Sequence, residues 1–322
     1  MFTIRIVLQA RMGSARRPGK TVADVAGRTL LERCLERLAA ARALGAACVQ
    51  EARWELVVAT SALSADDPIA RIAERCGIGC VRGSESDVLD RYLQATADLE
   101  ERDVVVRATA DNPLYCPDLT VRFVERHLDS GSDYTGIAEA LSPTVPEVLR
   151  VGVLRAVAAE PDVDDYCCEH VTPYLRRGGS MFAVELLPQN WCELDPSLRL
   201  TVDTPDDLAR MNALYETLLG LTAGCASEFL DAGTNLRRGA SSACGDDCRR
   251  PDGLILSGRS TALEVGRLDW RRSSFAVAGS AAAAAASFRQ AKLRRMFRLR
   301  QARRRGEFTG SRTPPVDRRP NR

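Results

Sequence analysis

Lysine is almost absent from this chain of 322 residues, in which Lys20 and Lys292 are the two lysines beside 43 arginines. Lysine carries a compact point charge that suits a phosphate oxygen, whereas arginine presents a planar fork of donors. Because lysine is so rare in this chain, each lysine is a candidate for a functional role. Lys20 lies inside the most unusual loop of the sequence, and we take it as a functional candidate.

Long apolar runs are also missing, and none approaches the roughly 18 residues that a membrane-spanning helix needs. The first residues form a short apolar stretch that Arg5 interrupts. Such a stretch is typical of a first β-strand rather than of a signal peptide. We therefore expect a cytoplasmic protein with no membrane partner.

The 11 cysteines include no CxxC pair. The spacings nearest to those of metal ligands, Cys76 with Cys80 and Cys244 with Cys248, have no accompanying pair of histidines. Nothing indicates secretion, which would favour disulfides. We expect the cysteines to be buried free thiols.

Charge is distributed unevenly along the chain. Residues 1–222 contain 24 basic and 34 acidic side chains, whereas residues 223–322 contain 21 basic and 9 acidic ones. The last hundred residues also show weak periodicity, an alanine run and a dense group of arginines, which leaves little apolar surface to bury. We predict a folded domain over residues 1–221 and a largely disordered, Arg/Ala-rich tail over residues 222–322 that attracts polyanions weakly.

Strand-like and helix-like segments alternate over the first two hundred residues, which implies βαβ units and a mainly parallel, Rossmann-like α/β sheet. Within this stretch, a less regular segment from Asp133 to Leu200 is expected to form an inserted lobe that returns to the sheet. The predicted strands are Thr3–Leu8, Glu55–Thr60, Gly79–Arg82, Asp103–Ala108 and Leu198–Val202, and the predicted helices are Leu30–Leu44, Asp67–Cys76, Ser86–Leu99, Asp118–Ser130, Val153–Ala159 and Leu208–Leu218. Ligands of such sheets bind beyond the carboxyl ends of the strands, so the loops that follow the first four strands should face one cleft.

The loop after the first strand, LQARMGSARRPGK from Leu8 to Lys20, combines small or turn-forming residues with a group of cations. Its glycines allow backbone N–H groups to approach an anion closely. Arg11, Arg16, Arg17 and Lys20 add positive charge that fits a triphosphate. The spacing is not that of a P-loop, because there is one residue too many between the two glycines, and it does not match GxGxxG. The alternative is a solvated basic surface turn.

This segment resembles the QARMGSxRLPGK signature of the cytidylyltransferase superfamily, in the branch named for a spore-coat polysaccharide biosynthesis protein. That branch is similar to the enzymes that make CMP-Kdo and CMP-sialic acid. The resemblance continues in the same order through VVATS, VRGSESDVLDRY, VVVRATADNPLYCPD, CCEHVTPYLR and RLTVDTPDDL, and so spans about residues 3–219. It implies the GT-A-type, Rossmann-like fold of nucleotide-diphospho-sugar transferases. It also implies Mg²⁺-dependent transfer of CMP from CTP to a sugar or sugar-acid hydroxyl, with release of pyrophosphate, for polysaccharide or glycoconjugate biosynthesis.

Two aspartates follow predicted strands. Asp111 follows Asp103–Ala108 and precedes Asn112-Pro113, while Asp203 follows Leu198–Val202 and precedes Thr204, an expected helix N-cap. Two carboxylates at strand ends could hold one Mg²⁺, although a turn-forming role for Asp111 and a capping role for Asp203 are equally open. The resemblance implies that both are metal ligands.

The resemblance also implies the remaining site residues. Arg11 and Lys20 are expected to neutralise the β- and γ-phosphates and, with Asp111 and Asp203, to form the catalytic set. Glu147 and His170 are candidates for acceptor binding, with a structural hydrogen bond as the alternative for His170. The implied nucleotide contacts are Leu8, Ala10, Arg11, Gly13, Ser14, Lys20, Arg82, Gly83, Ser84, Asp90, Arg91 and Asp111. For Asp90 and Arg91 an ordinary surface ion pair is the alternative.

The sequence departs from the family pattern in two places. Arg17 replaces a leucine, which casts little doubt on the loop, and Leu141–Val148 keeps only Glu147 and Val148 of a stretch that lines the acceptor side in relatives. Two other functions stay open. One is a GT-A glycosyltransferase, for which Asp162-Val-Asp164 matches the letters of a DxD metal motif. The other is a noncatalytic nucleotide-binding module. We expect CTP and a small sugar as partners, with a homodimer as one open assembly.

Overall fold

The structure is a computed structural model that describes residues 1–14, 16–138, 146–177, 181–188, 191 and 200–235, with the backbone alone for residues 221–235. The strands are β1 (Phe2–Gln9), β2 (Asp24–Val25), β3 (Arg28–Thr29), β4 (Ala52–Ser61), β5 (Gly79–Gly83), β6 (Val104–Thr109), β7 (Tyr134–Ile137), β8 (Glu147–Arg150) and β9 (Val184–Leu187). The helices are α1 (Leu30–Cys48), α2 (Asp67–Arg75), α3 (Val88–Ala95), α4 (Pro117–Ser130), α5 (Val151–Ala159), α6 (Asp165–His170), α7 (Pro173–Arg176) and α8 (Pro205–Asn235). Two short 3₁₀ helices, Lys20–Val22 and Ser64–Asp66, follow β1 and β4.

Seven strands form one sheet in the order β5-β4-β1-β6-β8-β7-β9, and β2 and β3 form a separate hairpin. β1 lies between β4 and β6 and is parallel to both, with Gln9 opposite Ala59 on one side and Thr109 on the other. β8 is the antiparallel strand, pairing with β6 and β7. The carboxyl ends of β5, β4, β1 and β6 therefore lie along one edge of the sheet, and this confirms the predicted mainly parallel, Rossmann-like α/β fold.

The central strands are apolar on both faces because helices pack on both sides, as parallel sheets require. On one face Ile4, Ile6 and Leu8 are fully buried in a core that includes residues of α1, α2 and α4. On the other face Val7 and Val105 belong to a core with residues of α3 and α5. Each such side chain contributes about 1.5–3 kcal/mol on burial, so this three-layer arrangement is a rigid platform for the loops at its edge.

The start of α8 follows from its sequence. Thr204 Oγ1 accepts from Asp207 N at 3.2 Å, and Asp207 Oδ2 accepts from Thr204 N at 2.9 Å and from Asp203 N at 3.0 Å. Burial alone would raise the pKa of Asp207, but the hydrogen bonds from Thr204, Arg210 and these amides lower it to about 2. The predicted N-cap at Thr204 is confirmed, and the reciprocal bonds fix Asp203 at the entrance to the helix.

One predicted strand is wrong. Of the segment Leu198–Val202, Leu198 and Arg199 lie outside the described residues, and Leu200–Val202 has no strand structure. Leu200 and Val202 are buried instead in a small cluster with Leu30 and Met211, so their apolar character reflects loop packing rather than sheet pairing. Asp203 therefore does not lie at the end of a strand.

Several other predictions concern the edges of the described chain. The predicted domain boundary after Leu221 falls inside α8, which continues to Asn235. The predicted tail beyond that point and the altered residues 141–145 lie outside the described residues. Among the cysteines that the structure describes, all seven are free as predicted, but only Cys34 and Cys167 are buried and Cys76 is exposed. Within the described part of the chain, no helix combines the length and apolar character needed to cross a membrane.

Candidate functional site

The loop after β1 folds back on itself above the sheet edge. Ala10 N donates to Ala59 O at 3.0 Å, which holds the start of the loop on β4. Met12 O accepts from both Ser14 N at 3.0 Å and Gly19 N at 2.9 Å, closing the loop. Gly19 has φ 73°, in the left-handed region that favours glycine, so the PGK sequence suits this return.

Lys20 comes directly after this loop and points to the centre of the site. Its Nζ lies 2.9 Å from Asp203 Oδ1, 3.0 Å from Val202 O and 3.6 Å from Asp111 Oδ2. The Lys20 side chain is 12% exposed, so its charge is largely shielded from bulk water and needs these partners. One ammonium group therefore joins the loop after β1 to both predicted metal-binding aspartates.

The two aspartates are held by their own loops as well. Asp111 Oδ1 accepts from Thr109 Oγ1 at 2.6 Å, and Asp111 O accepts from Val202 N at 2.8 Å, which ties the loop after β6 to the segment before α8. Arg16 Nη2 lies 3.2 Å from Asp203 Oδ1. The backbone bond, rather than a strand, is what brings Asp203 beside Asp111.

The donor set at this point suits a divalent cation. Asp111 and Asp203 offer hard carboxylate oxygens, the ligands that Mg²⁺ takes in ones and twos together with water and phosphate. Lys20 Nζ stands between them as a positive charge. No group of three or more His, Cys, Asp or Glu side chains that could hold a metal occurs in the described residues.

Arg11 makes a long-range contact that the sequence did not indicate. Its Nη2 donates to Glu169 Oε1 at 2.7 Å, across 158 positions of sequence, and its carbonyl accepts from Thr21 Oγ1 at 2.7 Å. The hydrogen bond from Arg11 lowers the pKa of Glu169 below its ordinary value. The loop after β1 is thereby joined to α6, the helix that also carries His170.

Arg82, a predicted nucleotide contact, forms hydrogen bonds and an ion pair with neighbouring residues. Its Nε donates to Ser61 O at 2.9 Å, its Nη2 donates to Leu63 O at 2.8 Å, and its Nη1 lies 2.7 Å from Asp67 Oδ1. These contacts brace the loop after β4. A nucleotide could reach this arginine only beside those partners.

The other residues of the RGSESDVLDRY segment have distinct places. Ser84 Oγ accepts from Asp87 N at 3.1 Å just before α3, and Gly83 lies against the Arg91 stem and Gln94, where a Cβ would meet Arg91 Cγ at 3.0 Å. Asp90 accepts from Gln94 Nε2 at 2.6 Å, and Arg91 is buried, which speaks against the alternative of a surface ion pair between these two residues.

Arg91 is 1% exposed and extends toward the start of the loop after β1, with Nη1 at 3.5 Å from Ala10 O. Its burial lowers the pKa of Arg91. Among the described residues its Nε has no hydrogen-bond partner. This arginine thus supports the loop from below, on the side of α3.

The predicted contacts within β1 and its loop divide into two kinds. The side chains of Leu8 and Ala10 are buried in the core, so they could approach a ligand only through the backbone. Gly13 is exposed, and Ser14 Oγ accepts from Arg17 N at 3.4 Å. Only Gly13 and Ser14 of these four lie on the open side of the loop.

Glu147, a predicted acceptor residue, is surrounded by donors. Its carboxylate lies 2.6 Å from Arg107 Nη1 and 3.1 Å from Arg176 Nη2, accepts from Thr172 Oγ1 at 3.1 Å, and accepts from the Tyr134 hydroxyl. Burial alone would raise the pKa of Glu147, but Arg107, Tyr134 and Arg176 together hold it below its ordinary value. The group is packed closely enough that a Cβ at Gly136 would lie 2.7 Å from Arg176 Nη2.

His170, the other predicted acceptor residue, is exposed at the end of α6 and packs on Tyr166, with ring centroids 4.4 Å apart and the rings tilted by 59°. It is the residue after Glu169, so it lies near the loop after β1. The structure does not join His170 to the Glu147 group by any hydrogen bond of the described residues.

Two residues of the site escaped sequence reasoning. Glu169 belongs to the quoted EHVTPY segment but carried no role, and only its contact with Arg11 reveals one. Asp66 binds the Met12 amide at 2.7 Å from the far side of the loop. An acidic residue one position before Asp67-Pro68 predicts an ordinary helix cap, so the sequence held no signal for this contact.

The DxD letters have a structural explanation. Asp164 Oδ1 accepts from Cys167 N at 2.9 Å and so caps α6, and its other oxygen accepts from Arg177 at 2.7 Å. A hydrogen bond from Arg177 lowers the pKa of Asp164 to about 2. Nothing in this arrangement favours the glycosyltransferase alternative.

Comparison with known proteins relates the whole sheet and its loops to one family. A family model described as cytidylyltransferase matches residues 5–219. The spore coat polysaccharide biosynthesis protein SpsF of Bacillus subtilis (strain 168) is 34% identical over 216 residues, which are 67% of this chain and 88% of that protein. A 3-deoxy-manno-octulosonate cytidylyltransferase of Anaeromyxobacter sp. (strain Fw109-5) is 30% identical over 181 residues, 56% of this chain and 68% of that protein.

A solved cytidylyltransferase structure from Leptospira borgpetersenii serovar Hardjo-bovis (strain JB197) agrees with a TM-score of 0.55 at 25% identity, covering 66% of this chain and 86% of that one. The residues that the family model matches include most of β1, its loop and both aspartates. This chain therefore belongs to the cytidylyltransferase family and is a nucleotidyltransferase.

Proposed function

We propose that this protein transfers the CMP group of CTP to a hydroxyl of a sugar or sugar acid, in a Mg²⁺-dependent reaction that releases pyrophosphate. The observation that carries the proposal is the meeting of Lys20, Asp111 and Asp203 at the sheet edge, directly after a cationic loop. Relatives named for a spore coat polysaccharide and for 3-deoxy-manno-octulosonate support a sugar-acid acceptor and a role in polysaccharide biosynthesis. Since CTP belongs to the nucleotide pool of the cell interior, we propose that the protein acts in the cytoplasm.

Triphosphate binding is assigned to the loop after β1. Arg11, Arg16 and Lys20 lie along the loop, and Gly13 is exposed, so an anion could approach its backbone beside Glu85. Arg11 and Lys20 are proposed to compensate the β- and γ-phosphates. Each would exchange a carboxylate partner, Glu169 for Arg11 and Asp203 for Lys20, for a phosphate oxygen.

Asp111 and Asp203 are proposed to hold Mg²⁺. The fit rests on the chemistry of the two carboxylates and on the positive charge that Lys20 already places between them. When bound, Mg²⁺ would neutralise phosphate charge and act as a Lewis acid on the α-phosphate.

Catalysis of the transfer requires mainly that the chain positions the two reactants and neutralises the charge of the phosphates. The acceptor hydroxyl oxygen forms a bond to the α-phosphorus in line with the oxygen that bridges to the β-phosphate. That bridging bond breaks, its electron pair leaves with pyrophosphate, and the hydroxyl proton passes to solvent. Lys20 and Arg11 would hold the departing charge. Holding the two reactants in register can remove about 7–11 kcal/mol of the barrier in favourable cases.

The acceptor side is assigned to α6 and the Glu147 group. His170 is exposed on the helix that Arg11 contacts through Glu169, so an acceptor beside the α-phosphate would lie within its reach. Glu147 has its oxygens engaged, and we propose that it acts by fixing Arg107 and Arg176 rather than by binding the sugar itself.

The test combines turnover with two substitutions. Wild-type protein with CTP, Mg²⁺ and a panel of sugar acids should release pyrophosphate, and Asp111→Asn or Asp203→Asn should lower kcat at least about a hundredfold, the usual cost of one missing electrostatic stabiliser. Asp162→Asn, which changes the same charge at the DxD letters, serves as the matched control and should stay near wild type. Near-normal rates in both of the first two variants would reject the metal assignment.

Nucleotide choice gives a second arm to this experiment. Calorimetry should show tighter binding of CTP than of ATP or GTP, since the loop after β1 resembles that of cytidylyltransferases. Equal affinity, or a preference for a purine, would reject CTP as the donor while leaving the fold family untouched.

A further inference from the structure

Asp66 makes an unusual set of contacts for a residue in its position. It immediately precedes α2, where an aspartate ordinarily accepts a hydrogen bond from an N–H of its own helix. Here its side chain makes no capping bond to α2. The carboxylate turns the other way, is 3% exposed, and serves two other segments of the chain.

The two oxygens of Asp66 have separate tasks. Oδ2 accepts from Ser61 N at 3.2 Å, from Thr60 Oγ1 at 3.2 Å and from Ser61 Oγ, which fixes the carboxylate to the carboxyl end of β4. Oδ1 accepts from Met12 N at 2.7 Å. The buried Asp66 carboxylate thus holds the loop after β1 against the neighbouring strand β4.

Met12 is the residue on which that loop closes. Its carbonyl oxygen accepts from Ser14 N and from Gly19 N, and these two bonds hold Ser14 and Gly19 beside Met12. Gly19 in turn leads directly into Lys20. The position that Asp66 imposes on the Met12 amide is therefore passed to the open part of the loop and to the lysine that follows it.

We propose that Asp66 is a positioning residue for nucleotidyl transfer: through the Met12 amide its buried carboxylate sets the shape of the loop that receives the triphosphate, without touching the nucleotide. This rests on the proposed function of the loop. Rigid placement matters because preorganised N–H donors and cations lose their advantage when they shift, and a displacement of about 1 Å can cost about a hundredfold in rate.

The test replaces Asp66 by Asn, which keeps its shape. An amide has one acceptor oxygen, so its NH₂ group must face either the Met12 N–H or the Ser61 N–H, and one contact becomes donor against donor. Asp103→Asn is the matched control, since Asp103 is 5% exposed and accepts from Thr3 N at 2.8 Å and Glu100 N at 2.9 Å at the opposite end of the sheet.

Both variants should lower the melting temperature, but only Asp66→Asn should raise the KM for CTP, by at least about tenfold, with the KM for the acceptor unchanged. Hydrogen exchange over residues 8–21 should accelerate in Asp66→Asn and stay as in wild type in Asp103→Asn. Ser61→Ala, a milder change that loosens the same carboxylate, should raise the KM for CTP about two- to fivefold and covers the case in which Asp66→Asn does not fold.

A KM for CTP that stays within twofold in Asp66→Asn, or within error in Ser61→Ala if the former is unfolded, would overturn the proposal. So would unchanged exchange in the loop. If wild-type protein does not turn over CTP at all, the proposed function fails, and the exchange measurement still decides whether Asp66 shapes the loop.

Discussion

The ion pair between Arg11 and Glu169 makes a quantitative prediction about nucleotide affinity. Without ligand, Arg11 pairs with the Glu169 carboxylate on α6, and its Nη2 lies 2.7 Å from Glu169 Oε1. On the proposed function, the triphosphate must take Arg11 from Glu169, and the free energy of that pair is subtracted from binding. Replacing Glu169 by Gln keeps the size of the side chain and removes the competing charge, so CTP should bind more tightly.

The magnitude follows from exposure. The two side chains are 38% and 42% exposed, which places the pair among solvent-screened ion pairs worth about 0.2–1 kcal/mol. Since about 1.4 kcal/mol corresponds to a factor of ten, the Kd for CTP should fall by a factor of about 1.4 to 5. The gain should shrink toward 1 M salt, where the screening length is about 3 Å. Because the hydrogen bond from Arg11 lowers the pKa of Glu169, the carboxylate stays charged at neutral pH and the effect should not depend on pH there.

Isothermal titration of CTP in the presence of Mg²⁺ measures the change directly. Glu100→Gln is the control, because this substitution removes the same charge from a surface ion pair at the opposite end of the sheet. In that pair Arg102 Nε lies 2.8 Å from Glu100 Oε2. Arg11→Gln should weaken CTP binding, and adding Glu169→Gln to it should bring no further gain. Weaker binding in Glu169→Gln alone, or an equal gain in the control, would refute the reasoning and make Glu169 a direct ligand of the substrates or a bystander.

Two further predictions concern stability and the domain boundary. His127 is fully buried, and its burial, together with the charge of Arg150, lowers its pKa to about 4. Between pH 6.5 and 4 the unfolded chain takes up a proton that the folded chain resists, so the loss of unfolding free energy on acidification, measured with urea, should be smaller by about 3 kcal/mol in His127→Gln than in wild type. A chain ending after Leu221 should unfold cooperatively and keep its CTP affinity, and it should lose only the salt-sensitive attraction to polyanions. A chain ending after Ala213 also loses Tyr215, whose hydroxyl donates to Pro113 O at 2.6 Å, and its free energy of unfolding should be lower by about 3–5 kcal/mol. Insolubility of the chain that ends after Leu221 would contradict the predicted boundary.

Residues close in sequence made the fold predictable. The β-branched runs of β1, β4 and β6 are buried on both faces, which is the pattern that parallel strands produce, and Thr204 with Asp207 forms the helix start that their spacing predicts. The cationic loop after β1 was recognisable for the same reason, since its residues follow one another in the chain.

Contacts across the chain were not predictable in this way. Arg11 and Glu169 are 158 positions apart, and only folding shows that they meet. Asp66 carries the letters of a helix cap, yet the tertiary demand for an acceptor at the Met12 amide outweighs that local preference. The segment Leu200–Val202 has the composition of a strand, and its apolar side chains are satisfied by a small cluster beside α8 instead. In each case, composition fixed burial or charge but not the partner.

These contacts together describe a site whose charges are matched before any ligand arrives. Three cations, Arg11, Arg16 and Lys20, face three carboxylates, Asp111, Asp203 and Glu169. A bare triphosphate would have to break these pairs and leave the carboxylates uncompensated, which is costly where Lys20 and Asp203 are nearly buried. A divalent cation alone would meet Lys20 between the two aspartates. On the proposed function, the cation and the nucleotide must therefore arrive as one unit, so that Asp111 and Asp203 gain a positive partner as Lys20 and Arg11 turn to phosphate oxygens. Of the three carboxylates, only Glu169 then loses its cation, and its side chain is 42% exposed to water.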